Sequence, residues 1–485
     1  MYVMGIDLGT QGVRAVVVDT EGQVVCEAAN DFPAAALQAV APGWFEQDPL
    51  EWRAALEATL RETIARLGHA GHPPEAIAAL AVTSTSGTLV LVDDTGAPVG
   101  PAIMYSDLRA AEVAREVQAA GQAWADKLGT QITGSYALSR LHWLQRHNPA
   151  RLARARWYLS PTDLVVGWLS EAWGVSDWTN MLKSGYDVVD LCWPAFIERD
   201  LGLPQDRFPR VQAPGSTIAQ VSTAAAQCTG LSTRTRVIAG ATDGTASQFA
   251  SGAARPGDWN STLGTTLVLK GVTEALLRDP LGRLYCHRHP EGYWLPGGAS
   301  STGADCLTQR FGADKLDALN AAALACCPTD LLVYPLMRVG ERFPFVAPQA
   351  TGFVLGDCAD EATCYAAHLE GIAYVERLAY DTVLELGGEV GETLFVAGGG
   401  SRSAAGLQVR ADVLGRRLRV PEVPSGAMGA AILAARGCAY GTLAEAVAHM
   451  VRYARTVEPR VAQRAAYAER YAGFLGLCRE KGYLR

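Results

Sequence analysis

The feature that most constrains this chain is an aspartate that ends an apolar run and is followed at once by glycines and a threonine. The segment reads Val3-Met4-Gly5-Ile6-Asp7-Leu8-Gly9-Thr10-Gln11-Gly12-Val13-Arg14. Val3, Met4 and Ile6 predict a strand, the glycines a tight turn, and Val13, Ala15 and Val17 a second strand alternating back. A hairpin of this kind aims backbone N–H groups at an anion. Asp7 beside it suits a hydrated divalent cation, because Mg²⁺ keeps most of its waters and takes few protein ligands. Phosphate and metal together imply a nucleotide. A second aspartate closes another apolar run in Gly240-Ala241-Thr242-Asp243-Gly244.

The chain is long enough for an enzyme. Its 485 residues suggest roughly three domains, or two large ones. Hydrophobic residues make up 49% and charged ones 19%, a globular composition. A formal charge of −8, with no basic patch, argues against nucleic acid as a partner. No apolar run reaches spanning length, and a strand that begins by Val3 leaves no room for a signal peptide. The expectation is a cytoplasmic protein without a membrane partner. The 11 cysteines never fall as Cys-x-x-Cys and read as reduced, mostly buried thiols. His287 and His289, lacking a third ligand nearby, read as a loop or strand pair and not a metal site.

Along the chain, Asp48-Pro49 opens a helix with Leu56, Leu60, Ile64 and Leu67 at helical spacing, ended by Gly68 and Gly71. Residues 76–82 read as a buried strand, followed by the hydroxyl-rich Thr83-Ser84-Thr85-Ser86-Gly87-Thr88 and a strand over 89–92. Residues 101–208 read as mainly helical, with Trp and Tyr in their loops. A strand over 236–239 runs to Asp243, and residues 259–270 form a hairpin around Leu263-Gly264-Thr265-Thr266. A strand at Leu394-Phe395-Val396-Ala397 enters Gly398-Gly399-Gly400-Ser401, then a short helix, then a strand at 417–420. The order of elements is α/β in character.

Two halves therefore each begin with a strand, a Gly-Thr turn and a hairpin partner. Such duplication is what a cleft between two similar domains requires. A nucleotide there would meet the first turn and the Gly264-Thr265-Thr266 turn through its phosphates and the Gly398 loop through its nucleoside. Glycine is needed at such turns because a Cβ would hold the backbone off the ligand.

The ordered set Asp7-x-Gly-Thr, Tyr105-Ser106-Asp107-Leu108-Arg109-Ala110, Asp243, Leu263-Gly264-Thr265-Thr266 and Ala397-Gly398-Gly399-Gly400 resembles the FGGY carbohydrate kinases of the actin and hexokinase superfamily. The resemblance runs from residue 3 to about residue 440 and implies two ribonuclease H-like domains flanking a catalytic cleft. Residues 1–245 would form the sugar side with the first phosphate loop, and residues 246–485 the nucleotide side. It implies ATP and Mg²⁺ as cofactors and a small sugar or polyol as substrate. Asp243 would be the general base and Asp7 would serve the metal and the transferred phosphate. Nucleotide contacts would come from Gly9, Thr10, Gln11, Arg14, Gly264, Thr265, Thr266, Gly398, Gly399, Gly400 and Ser401. Thr10 and Thr265 would donate to phosphate oxygens. Phosphoryl transfer needs mostly positioning and charge neutralisation, so one carboxylate near the acceptor and one near Mg²⁺ suffice.

On the sugar side, Ser86, Asp107 and Asp243 are the expected contacts. Xylulokinases usually carry Met-His-Gly before the strand at 89–92, where this chain has Thr85-Ser86-Gly87-Thr88. With Asn180 to Tyr186, Gly292 to Ser300 and Gly340 to Pro344, that loop is similar to the D-ribulose kinase group, also called xylulokinase-like. The expected substrate is a pentulose, D-ribulose ahead of D-xylulose. Two residues depart from the family pattern: Ser403 stands where many relatives have an asparagine near the adenine, and Tyr105 replaces a tryptophan. Lys183 and Glu341 fit either fold support or the sugar pocket. The charged helix 461–471 reads as a solvated surface or a subunit contact, which would make a homodimer. A second reading, a nucleotide-driven conformational switch, has no need of Asp243 and the 84–88 loop.

Overall fold

The computed structural model describes residues 1–484; residue 485, the end of the expected second domain, lies outside them. The chain divides into two compact units, the first made of Met1–Ala250, His287–Gly292 and Val423–Val451 and the second of the remainder. The main boundary thus falls after Ala250, five residues beyond the single cut expected after 245, and two later segments return to the first unit.

The first unit is built on a sheet of β1 (Tyr2–Leu8), β2 (Gly12–Asp19), β3 (Val24–Asp31), β4 (Ile77–Ser84), β5 (Thr217–Gln220) and β6 (Arg236–Thr242), in the order β5-β6-β4-β1-β2-β3. Strands β1, β2 and β3 are antiparallel neighbours, whereas β4 runs parallel to both β1 and β6. Strand residues alternate between faces. Met4, Ile6 and Leu8 join a core with Trp52, Leu56, Leu60 and Leu67 of helix Pro49–His69. Asp48 caps that helix by accepting from the Leu50 N–H at 2.9 Å, and the helix continues through Gly68, which does not end it. Each large side chain buried in this way contributes roughly 1.5–3 kcal/mol.

The opposite face of β1, carrying Val3, Gly5 and Asp7, is covered by helix Gly426–Arg436 at a separation no Cβ would permit. A Cβ on Gly5 would lie 1.8 Å from the Ala427 carbonyl oxygen; on the same helix, one on Gly429 would lie 1.9 Å from the carbonyl oxygen of Ala246 in helix Asp243–Ser251. Within the sheet, a Cβ on Gly240 would lie 1.7 Å from the Val82 carbonyl oxygen.

The second unit repeats this plan with β7 (Trp259–Leu263), β8 (Leu267–Gly271), β9 (Trp294–Ala299), β10 (Thr393–Ala397), β11 (Arg417–Pro421) and β12 (Tyr453–Val457), in the order β9-β8-β7-β10-β11-β12, with a seventh strand, Tyr285–Arg288, pairing outside β9. Again three antiparallel strands are followed by parallel neighbours, β7 with β10 and β10 with β11. Strands β3, β5, β9 and β12 carry too little periodicity to be read from the sequence. Residues 101–208, expected to be mainly helical, also hold short strands at Ala102–Ile103, Trp157–Leu159 and Val175–Asp177. The cysteines are not all reduced: Cys358 and Cys364 form a disulfide, and the other nine are free. Among the described residues no helix is long and apolar enough to cross a membrane.

The backbone approach at Gly5 predicts an asymmetry between two glycines. Gly5→Ala forces helix Gly426–Arg436 off the sheet and lowers the unfolding free energy by about 3 kcal/mol or more. Gly68→Ala, with nothing within 4 Å, raises it by about 0.5–1 kcal/mol through helix propensity. Urea unfolding of both variants decides it; equal effects would show that the helix does not press on β1.

Candidate active site

Because β1, β4 and β6 are parallel neighbours, their C-terminal ends share one edge. Asp7 pairs in register with Thr83, and Leu8 and Thr242 both pair with Ser84. Asp7, the 85–88 loop and Asp243 therefore leave the sheet side by side. Backbones two strands apart are separated by about 10 Å, close enough for two inward-leaning carboxylates to feel each other. Burial pushes the Asp7 carboxyl up to about 6; the Asp243 charge adds to that rise, and Arg14, directly across from Asp7 in the hairpin register, opposes it. One Asp7 oxygen, Oδ1, is buried without a hydrogen-bond partner. Its Oδ2 lies against the start of helix Gly426–Arg436, where a Cβ on Gly426 would come within 2.7 Å. That helix end, capped by Ser425, carries positive dipole charge that favours an anion.

Asp243 opens helix Asp243–Ser251, and its Oδ1 accepts from the Gly244 N–H at 2.6 Å. The residue before it is fixed from behind: the Thr242 N–H donates to Thr179 Oγ1 at 3.0 Å, and Thr179 Oγ1 donates to the buried Asp177 at 2.5 Å.

A cavity of about 420 Å³ is bounded by Asp7, the 9–12 turn, Arg14, Asp31 and Tyr105. It gathers Gly9, Thr10, Gln11 and Arg14 from the expected nucleotide contacts. The turn is held rigid, since Gln47 Nε2 donates to the Thr10 carbonyl at 2.8 Å while Gln47 Oε1 accepts from Trp52 Nε1 at 3.0 Å. In the 84–88 loop the hydroxyls satisfy one another, Ser84 with Thr162 at 2.7 Å and Thr85 with Thr88 at 2.8 Å. Ser86 Oγ is the exception, buried and unpartnered.

Asp107 departs from the expected sugar contact. It is wholly buried, and its two oxygens accept from the Phe45 N–H and from the N–H, Nε and Nη2 of Arg109, at 2.6–2.9 Å. Arg109 also pairs with Glu46 at 2.8 Å and stacks 4.5 Å from the Trp44 ring centroid. With four donors and no exposed surface, Asp107 braces its loop and has nothing left to offer a ligand.

In the second unit a cavity of about 750 Å³ is lined by Gly264, Thr265, Gly399 and Gly400 together with Asp305, Gln309, Asn320, Tyr365 and Ser403. That volume is of the size small-molecule ligands occupy. Thr266, Gly398 and Ser401 are not among its lining residues. Gly398 has a φ of +84°, and a Cβ there would meet the Leu263 carbonyl oxygen at 2.5 Å, so its role is to let β10 turn beneath the β7–β8 hairpin. Ser401 Oγ donates to the Gly398 carbonyl at 2.7 Å and closes the same turn. The Thr265 turn is backed by residues 300–303. There the buried Glu341 accepts from Ser300 Oγ, the Ser301 N–H, Thr302 Oγ1, Tyr334 OH and the Arg342 N–H at 2.6–3.1 Å. Glu341 is thus fold support. Sequence reasoning missed Asn320, whose Oδ1 accepts from Ser403 Oγ at 2.5 Å and Tyr365 OH at 2.9 Å. It lies 83 residues from Ser403 in sequence, and nothing local marks it.

A hydroxyl-lined strand edge with two interacting carboxylates in one unit, and a glycine-walled cavity in a second unit of the same topology, define a two-domain phosphotransferase of the actin and hexokinase type. Residues 2–250 match the model of the FGGY family of carbohydrate kinases, N-terminal domain, and residues 260–438 that of its C-terminal domain, so the chain belongs to this family. It is a sugar kinase, an activity for which the family uses ATP. Among its relatives, a xylulose kinase of Staphylococcus epidermidis is 26% identical, the match covering 97% of this chain and 95% of the relative. An L-xylulose/3-keto-L-gulonate kinase of Escherichia coli K12 is 27% identical with the same coverage. The crystal structure of xylulose kinase from Rhodospirillum rubrum superposes with a TM-score of 0.87 at 26% identity, covering 99% of each chain.

The buried Asp7 charge has a measurable signature. Its folded titration point lies above the unfolded value of about 4, so the native state holds the proton more tightly and Asp7 costs stability as pH rises from about 4 through 6. Asp7→Asn therefore raises the unfolding free energy at pH 8 by about 1–3 kcal/mol and has little effect near pH 4. Thermal unfolding at the two pH values tests this, and a pH-independent difference would contradict it.

Proposed function

We propose that this chain is an ATP-dependent pentulose kinase, with D-xylulose as the leading acceptor and D-ribulose second. The observation that carries the reading is the Asp7–Asp243 pair, two mutually repelling carboxylates at the ends of strands that flank β4, beside the unpartnered Ser86 hydroxyl. Xylulose heads the order because a xylulose kinase is among the relatives matched over nearly the full chain and another is among the solved structures of the same fold. The D-ribulose preference expected from the 85–88 loop has no such support.

Asp243 is the general base. As the acceptor hydroxyl oxygen forms its bond to the γ-phosphorus, its proton passes to the Asp243 carboxylate and the bond from phosphorus to the leaving ADP oxygen breaks. Asp7, with an orphaned buried oxygen next to a second carboxylate, fits a hydrated Mg²⁺, which would supply charge neutralisation for the phosphates. Thr10 and Arg14 stand on the same side as Asp7 and hold phosphate oxygens. Gly264, Thr265, Gly399 and Gly400 leave their backbone open to the nucleotide, with Thr266, Gly398 and Ser401 shaping those turns. Ser86 binds a sugar hydroxyl.

Coupled ADP release with Mg²⁺ and ATP against D-xylulose, D-ribulose, L-xylulose, L-ribulose, gluconate and glycerol tests the assignment. One pentulose turns over with a kcat/KM at least tenfold above the rest, and turnover without sugar is small. Asp243→Ala lowers kcat by about 10²–10⁴ with the ATP dissociation constant unchanged within twofold. Sugar-independent hydrolysis of ATP at the full rate would sink the kinase reading.

A further inference from the structure

Arg140 stands at 0% exposure inside the first unit, on helix Ala137–His147, and no carboxylate hydrogen-bonds its guanidinium. Its hydrogen-bond partners are backbone carbonyls. Nη1 donates to the oxygens of Gly87 at 2.6 Å and Ser135 at 2.9 Å, and Nη2 to those of Tyr105 at 2.8 Å and Asp107 at 3.2 Å. Nε is buried without a partner. One planar fork thus holds three separate segments. The first is the 84–88 loop that carries Ser86, the second is the 105–107 loop whose Tyr105 walls the Asp7 cavity, and the third is the turn before its own helix.

Such a charge is expensive. Burial pulls the Arg140 titration down to about 10, with the Asp107 charge opposing. An apolar side chain of the same volume commonly serves stability as well as a buried ion does or better. What an apolar residue cannot do is fix the register of loops, and only a guanidinium presents a rigid array of donors wide enough for four carbonyls. Beyond the Leu89–Ile103 backbone pair at their base, at 2.9 and 3.0 Å, the loops are tied to each other by Thr88 Oγ1, which accepts from the Tyr105 N–H at 3.1 Å. Gly87 adopts a φ of +88°, and a Cβ there would strike Lys183 Cδ at 2.9 Å and the Ser135 oxygen at 3.0 Å. The loop is therefore pressed into the place where Arg140 grips it.

We infer that Arg140 is a positioning residue for the acceptor sugar, setting the Ser86 loop and the Tyr105 loop in register without touching substrate or nucleotide. The inference rests on the proposed kinase reading. Its consequence is a defect confined to sugar binding, because none of the gripped carbonyls belongs to the glycine turns. A displacement of about 1 Å in a binding group costs up to about 10²-fold.

Steady-state kinetics and hydrogen–deuterium exchange on the full-length protein test this with Arg140→Lys and Arg140→Met. Lysine keeps the charge but presents one point of donation in place of the fork. Both variants raise the KM for the preferred pentulose at least tenfold, leave the KM for ATP within twofold and kcat within about threefold, and speed exchange at residues 84–88 and 105–108, with Lys the milder. An unchanged sugar KM, a parallel rise in the KM for ATP, or unchanged exchange in both segments overturns the inference. If Met does not fold, Lys alone decides. If the unmodified protein phosphorylates no sugar, the kinase reading fails separately, and unchanged exchange would still show that Arg140 does not set the loops.

Discussion

The contact on which the rest of the first unit depends is the backbone-to-backbone seat of helix Gly426–Arg436 on β1, β4 and β6. A Cβ on Gly5 would stand 1.8 Å from the Ala427 carbonyl oxygen, and one on Gly426 2.7 Å from Asp7 Oδ2. With the side chains gone, the helix start reaches the end of β1 and sets its dipole beside Asp7. A carboxylate there is both desolvated and opposed by Asp243, two effects that raise its titration, while the helix end and Arg14 hold part of the charge in place. The same seat explains why the first unit is discontinuous in sequence: the helix that completes its sheet lies after most of the second unit.

The two units share a topology but not a chemistry, and the difference can be located in one residue. The first hairpin turns through Asp7-Leu8-Gly9-Thr10 and the second through Thr262-Leu263-Gly264-Thr265. Where Asp7 keeps an unpartnered buried oxygen, Thr262 Oγ1 donates to Asn260 Oδ1 at 2.9 Å and is satisfied within its own strand. On the proposed reading the duplicated turn offers its backbone to phosphate in both copies, while only the first carries a carboxylate at this position.

What the sequence made legible follows from range. Asp7, the 9–12 turn, Asp243 and the 264–266 turn are announced locally, by apolar runs that break into glycines, and the duplication could be read from two such turns. Residue type without environment misled at Asp107, whose Asp-x-Arg spacing suggests a pocket but whose oxygens are consumed by that same Arg109 and by the Phe45 N–H. It was also silent where a role is made by distant partners. Arg140 answers carbonyls at Gly87, Ser135, Tyr105 and Asp107, Glu341 gathers donors from 300–302 and Tyr334, and Asn320 pairs with Ser403. Ser403 itself was visible as a departure from the family's asparagine, yet the amide that now borders the cavity comes from another helix. Edge strands were lost for a related reason, since one solvated face and few ladder partners leave weak alternation.

Substrate choice on the proposed reading reduces to how many polar atoms the acceptor side leaves unpaired. Of the hydroxyls in the 84–88 loop, Ser84, Thr85 and Thr88 are satisfied within the protein, and Ser86 is not. A buried polar group without a partner costs about 1–3 kcal/mol, which a correctly placed sugar hydroxyl recovers and a misplaced one does not. D-xylulose and D-ribulose differ only in the configuration of one carbon, hence in the direction of one hydroxyl. A single unsatisfied hydroxyl is thus on the right scale to separate them, by roughly 5- to 150-fold, and it does so only if its loop is rigid. A loop free to move by an ångström would let Ser86 follow either epimer. Discrimination therefore depends as much on the buried fork of Arg140 behind the loop as on the hydroxyl in front of it.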